Sequence, residues 1–379
     1  MRLIYLASHF YPIMDASTRR IHSYLKSFAS HGNEVIVLVF YPQATNNEGV
    51  VDGIKYRCIT SLDYLKAGPL LRMFYRAKSI IRSGNDIIKM KPTALLTNSD
   101  SFSVNIWYAL ISKFLGVYYI VEKTEYPYGF HTLKSYQKTL VLKKLKIYSK
   151  VITISKELFA FYKRIGRPVF LLPMTIDPSI FDSIKRGERK PYIAVSFGVN
   201  LRDGLFDTIK VYERYLEIRG EKEKLALVLI GDFDRLCKLH PECKEILFYI
   251  KSKGLESHIS FTGRITPEKV CELLANATCL VTTPTKYDSG GFPTKLGEYM
   301  LSGTPIVLTV AGEVNNYLKN NEHALISQPE DMCNVSFNIS FIQDNPDFGE
   351  YLAENAKSLA QKAFNSDTYI DDLCEFIIN

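Results

Sequence analysis

The chain has 379 residues, 46% of them hydrophobic and 23% charged, which is too much for one ordinary core and enough for two domains. No uninterrupted apolar run approaches the roughly 18 residues of a membrane span, and the opening MRLIYLASHFYP turns polar too early for a signal peptide, so a cytoplasmic protein is expected. Seven scattered cysteines without a CxxC pair argue against a zinc or redox motif, and the charge is lopsided: residues 1–185 carry 26 Lys+Arg against 12 Asp+Glu, the remainder 21 against 28.

Short Val/Ile/Leu-rich runs alternate with helical stretches, the pattern of parallel sheets covered on both faces. In chain order the strands of the first half are expected at 2–8, 33–41, 94–99, 117–124, 151–155 and 169–174, with helices at about 18–31, 101–115, 133–149 and 156–164. The second half repeats the scheme, with strands at 192–198, 226–232, 258–264, 277–284, 305–310 and 324–327. The fold class is therefore α/β, with two Rossmann-like doubly wound domains. Residues 1–182 form the first and 191–363 the second, separated by the polar run 182–191, and a C-terminal helix at 364–379 returns toward the first domain. Ligands of such sheets bind beyond the carboxyl ends of the strands, so two domains in tandem would face each other across a cleft.

The most informative stretch is SGGFPTKLGEYMLSGTP, residues 289–305. It reads as a glycine loop leading from a strand into a helix, with Pro293 in the first helical turn. Glycines let the backbone approach a ligand, and the first-turn amides suit a phosphate. Lys295 opposes the helix dipole unless an anion neutralises it. Glu298 leans back toward the same mouth, where its carboxylate can accept hydrogen bonds from two neighbouring sugar hydroxyls. Complementing the dipole is its plainer alternative role.

GGFPTKLGEYMLSGTPIV resembles the nucleotide-sugar site of retaining GT-B glycosyltransferases of family 4, whose motif reads E-G-F-G-x-x-x-x-E-A-M-A-x-G-x-P-V. Phe292, Glu298, Met300, Gly303 and Pro305 fall in register. The resemblance implies that Glu298 binds the ribose. It places Gly290 where the family writes its first Glu, with Asp288 close enough to substitute. SFGVNLRDG (196–204) resembles the family's diphosphate loop, in which Arg202 is the cation, with Lys295 completing the pair. Gly291, Phe292 and Thr294 would offer backbone amides, and Arg264, in a loop similar to the family's base-side loop, would pack near the base. VEKTEYPYGF (121–130) sits where the family places acceptor-side and catalytic groups, which points to Glu125. The opening unit resembles the family's with Asp15, Ala16 and Ser17 in place of a Gly-Gly pair.

The implied reaction moves a sugar, with anomeric retention, from a UDP- or GDP-linked donor to a hydroxyl of a glycan or lipid-linked acceptor, in assembly of a bacterial surface polysaccharide or glycoconjugate. Fixed donors that stabilise the departing diphosphate are its main physical demand. No DxD pair stands at a strand end, and DFD at 232–234 reads as a helix cap, so no metal or other cofactor is expected to be required. Residues 61–83 and 133–150 mix Lys and Arg with apolar residues at helical spacing, which suits an anionic membrane surface on the inner leaflet or, equally, a core-facing stripe with a solvated basic side. The basic half holds no nucleic-acid docking motif. Two other readings stay open: a nucleotide-sugar 2-epimerase of the same architecture, and a non-catalytic nucleotide-sugar-binding module.

Overall fold

A computed structural model describes residues 1–379 apart from 10, 13–15, 42–46 and 285–288, and apart from the side chains of 16 and 17. Asp15 and Asp288, both singled out above, lie outside the described residues. The chain forms two compact units: one of residues 1–177, 289–291 and 365–379, the other of 178–288 and 292–364. The polar run 182–191 falls within the second unit, and its last two residues begin a strand.

Eight strands build the sheet of the first unit: β1 (Arg2–Ala7), β2 (Glu34–Val39), β3 (Glu48–Val51), β4 (Ile54–Cys58), β5 (Ala94–Thr97), β6 (Tyr118–Lys123), β7 (Lys150–Thr153) and β8 (Val169–Leu171). Their order is β3-β4-β2-β1-β5-β6-β7-β8, all parallel except β3 against β4. Every strand expected in this half is present, because runs such as LIYLA and ALLT are buried on both faces. The β3–β4 hairpin was not anticipated. It turns on Asp52 and Gly53, both at positive φ (49° and 77°), the backbone that a two-residue Asp-Gly hairpin turn requires.

Under this sheet the helix Ala16–Ser30 carries a fully buried cation. Arg20 pairs with Glu122 of β6, its Nη2 donates to the Leu172 carbonyl at 2.9 Å, and the Tyr24 hydroxyl donates to Glu122 Oε2 at 2.7 Å. Burial pulls the Arg20 guanidinium down to about 10. Such a pair is costly to break, since either partner alone is a buried charge. The C-terminal helix Ile370–Ile378 packs Ile370, Leu373 and Ile377 into this same core, and Lys150 Nζ donates to the Phe376 carbonyl at 2.6 Å.

In the second unit β9 (Lys190–Ser196), β10 (Ala226–Ile230), β11 (Ile259–Phe261), β12 (Ala277–Thr282), β13 (Ile306–Thr309) and β14 (Leu325–Ser327) form one parallel sheet in the order β11-β10-β9-β12-β13-β14. Helix starts follow the local chemistry. Thr266 precedes Pro267 and accepts from the Lys269 amide, Asp232 accepts from Arg235 at 2.9 Å, and in the first unit Ser155 accepts from Leu158 at 3.0 Å. Two doubly wound α/β units with parallel sheets are thus what the alternating pattern predicted. Among the described residues no helix is long and apolar enough to cross a membrane.

Candidate functional site

The carboxyl ends of β9 and β12, neighbours in the sheet, are where the second unit gathers its polar side chains. β9 leaves at Ser196 and passes through a short 3-10 turn, Leu201–Asp203, before the helix Leu205–Arg219. Gly204 joins the two at φ 68°, and a Cβ there would lie 2.0 Å from the Thr283 carbonyl oxygen just past β12. Only glycine allows this approach. Hydroxyls then lock it: Thr283 Oγ1 donates to the Gly204 carbonyl at 3.1 Å and lies 2.7 Å from Thr208 Oγ1.

Across this joint Asp203 organises the site. Its Oδ2 accepts from the Gly198 amide at 2.7 Å, and its Oδ1 lies 2.9 Å from Lys295 Nζ, which also donates to the Ser196 carbonyl at 3.1 Å. Lys295 therefore has an anion within its own chain. Asp203, which sequence reasoning passed over, supplies the anion that this first-turn lysine was expected to take from a ligand. The Asp-Gly pair closing NLRDG was the available signal, because it marks a turn that aims a carboxylate back at the strand end.

The helix carrying Lys295 spans Lys295–Ser302. Pro293, expected in the first turn, precedes the N-cap Thr294, although its carbonyl already accepts from the Leu296 amide at 2.9 Å. Tyr299 anchors the helix from below. Its hydroxyl accepts from the Ser196 amide at 2.7 Å and donates to the Val281 carbonyl at 3.4 Å, and burial holds its ionisation well above the usual tyrosine range. Glu298 is 8% exposed on the same helix. Gly303 ends it in the left-handed conformation, φ 60°.

The remaining predicted residues separate. Arg202 is half-buried in the 3-10 turn beside Asp203. Arg264 is exposed, following Gly263, which bridges to Gly231 beyond the end of β10. The Phe292 side chain is core: its ring meets Tyr317 and Phe364, each at 5.5 Å between centroids, so only its backbone is available to a ligand. Lys295, Arg202 and Asp203 thus share the β9 and β12 end of the second unit, and Glu298 follows three residues along the Lys295 helix.

Glu125 and Gly291 belong to the first unit, where Glu125 is exposed after β6 and Gly291 is buried. Next to Gly291, Gly290 sits at φ 70°, and a Cβ there would meet Tyr126 Cε2 at 2.6 Å and Leu158 Cδ2 at 2.9 Å. Ser155 donates its hydroxyl to the Gly290 carbonyl. The glycine in place of a motif carboxylate is therefore required by packing within this unit.

Beside the β9 loop lies a cavity of about 260 Å³ whose walls include Asp203, Asp207, Glu242 and Glu245. So many carboxylates make this cavity a poor place for an anion. Among the described residues no three His, Cys, Asp or Glu side chains cluster as metal ligands would.

Residues 177–359 match the family described as Glycosyl transferases group 1. An uncharacterized glycosyltransferase of Methanocaldococcus jannaschii is 23% identical over 231 residues, 58% of this chain, and the match spans 57% of that relative's length. Among solved structures, Anabaena HepE in complex with UDP and glucose superposes with a TM-score of 0.73 at 15% identity, covering 99% of both chains. Sucrose-phosphate synthase from Thermosynechococcus elongatus reaches 0.74 at 15% identity, over 99% of this chain and 98% of that one. The fold is that of GT-B glycosyltransferases, and the group 1 match falls almost wholly on the second unit.

Proposed function

We propose that the protein is a retaining glycosyltransferase of family 4. It would transfer a sugar from a UDP- or GDP-linked donor to a hydroxyl of a glycan or lipid-linked acceptor, in the assembly of a surface polysaccharide or glycoconjugate. The observation that carries this reading is the placement of Lys295 at a helix start, held by Asp203 and the Ser196 carbonyl at the carboxyl end of β9, inside the stretch that matches glycosyltransferases. HepE, of like fold, was crystallised with UDP and glucose.

In this reading the chain's own groups do the following. An ammonium has three N–H donors; the carboxylate and the carbonyl engage two, and the third is assigned to a phosphate oxygen of the donor. Because Asp203 fixes the ammonium beforehand, little reorganisation is needed as negative charge grows on the departing diphosphate. Arg202 adds a second cation, and the amides of Phe292 and Thr294 add neutral donors. Glu298 accepts from the ribose hydroxyls, and Arg264 lies by the base. Glu125 is assigned to the acceptor side.

A thermal-shift panel of UDP, GDP, ADP and their sugars, on the wild type and on Glu298→Gln, tests the donor site. A nucleotide-specific stabilisation that Glu298→Gln loses is the expected result, and an undiminished shift in that variant refutes the ribose assignment. Gly290 favours one second reading, a nucleotide-sugar-binding module without transfer, since packing excludes a carboxylate at that position. Donor binding with no sugar released or transferred on any acceptor would select it.

A further inference from the structure

In the first unit the helices Pro69–Met90 and Phe102–Leu115 are neighbours. Trp107 Nε1 donates to the Ile80 carbonyl at 3.2 Å, and the Ser83 and Tyr108 hydroxyls lie 2.7 Å apart. A helix on a soluble domain normally turns its apolar stripe inward. These two also present apolar rows outward. On the second helix Phe102, Ile106, Leu110 and Phe114 recur every four residues, all are exposed, and Phe114 is 76% exposed. On the first helix Leu70 (80% exposed) and Phe74 (61%) begin a row that continues with Lys78 and Arg82 at the same spacing, beside Met73 and Ile81 on the adjacent row. Exposed apolar rows on two neighbouring helices of a folded domain are the mark of an interaction surface.

Charge decides the partner. The helix Phe102–Leu115 has no acidic residue, and Pro69–Met90 has only Asp86, which is engaged by Arg57 at 2.6 Å. Lys78 and Arg82 also line a recess of about 350 Å³, with Ser61, Ser79 and a single carboxylate, Asp63, in its walls. A second copy of the chain meeting this face across a two-fold would set cation against cation. We propose that this face docks on an anionic lipid bilayer: Leu70, Met73, Phe74, Leu110 and Phe114 enter the boundary of the acyl chains, and Lys78 and Arg82 lie at the level of the phosphates. The inference rests on the first unit alone and stands apart from the donor chemistry of the second.

Sedimentation of the whole protein with vesicles of phosphatidylcholine, with and without phosphatidylglycerol, tests it. Binding is expected only to the anionic vesicles and falls as salt rises. A basic side chain near such a surface is worth about fivefold in partitioning, so Lys78→Gln with Arg82→Gln weakens binding roughly 25-fold. Phe74→Gln with Phe114→Gln weakens it about tenfold or more. All four side chains are exposed, so an unchanged melting temperature shows that the variants fold. Wild-type protein left in the supernatant at low salt overturns the proposal, and so does full binding by the Phe74/Phe114 variant. A concentration-dependent dimer abolished by that same variant also overturns it, and assigns the face to self-association.

Discussion

Replacing Asp203 with asparagine leaves the size of the side chain and removes its charge. In the wild type one carboxylate serves two donors, the Gly198 amide at 2.7 Å and Lys295 Nζ at 2.9 Å. Asparagine has one acceptor oxygen, so it either keeps Gly198 and turns its own N–H groups toward the ammonium, or keeps Lys295 and abandons Gly198. In both cases one charge-assisted hydrogen bond is lost from a pair whose side chains are 16% and 18% exposed, at a cost of about 2 kcal/mol. For a unit of this size that lowers the melting temperature by about 4–8 °C. Lys295→Met strands the opposite charge at similar cost, whereas the double variant strands neither. Chemical denaturation of the three variants therefore yields a cycle in which the double loss is smaller than the sum by about 1–2 kcal/mol. Additivity within about 0.5 kcal/mol would refute the claim that Asp203 holds Lys295.

Two more outcomes follow from packing and linkage. Gly290→Glu, which writes the family's first carboxylate into the motif, drives a Cβ into Tyr126 and Leu158 at φ 70°; it costs the first unit about 2–3 kcal/mol and raises no turnover, and a stable variant with faster transfer would contradict this. The hydrogen bond from Arg219 at 2.6 Å holds the Asp344 carboxyl below the ordinary 3.8. Its contribution is complete above that value and lost as pH falls through the lower folded one, so Asp344→Asn flattens the acid limb of a stability–pH curve, and an identical limb would count against the pair.

The strands of both sheets were legible because parallel sheets bury both faces and leave unbroken Val/Ile/Leu runs, as in ALVLI and IVLT. The hairpin β3–β4 escaped because EGVV and IKYRC are short edge strands of mixed polarity, although the Asp-Gly turn between them was visible. The glycine-loop-helix pattern put Lys295 and Glu298 in the first turns of a helix, which is where Lys295–Ser302 has them, since spacing along a helix start can be read directly. Asp203 was not readable in the same way: its two partners come from the loop after β9 and from a helix more than ninety residues later, a meeting that only tertiary structure arranges. Phe292 shows the reverse limit, because a motif position identifies the residue without telling whether its ring or its amide is in use.

The ring of Phe292 touches that of Phe364, 72 residues further on, and Tyr317 packs against both. Closing a flexible loop of that length costs about 4 kcal/mol in chain entropy, more than one pair of rings returns. The clasp can therefore close only after the intervening strands and helices have drawn its ends together, so the residues bounding the second unit's last segment are knit late in folding, behind the sheet they fasten.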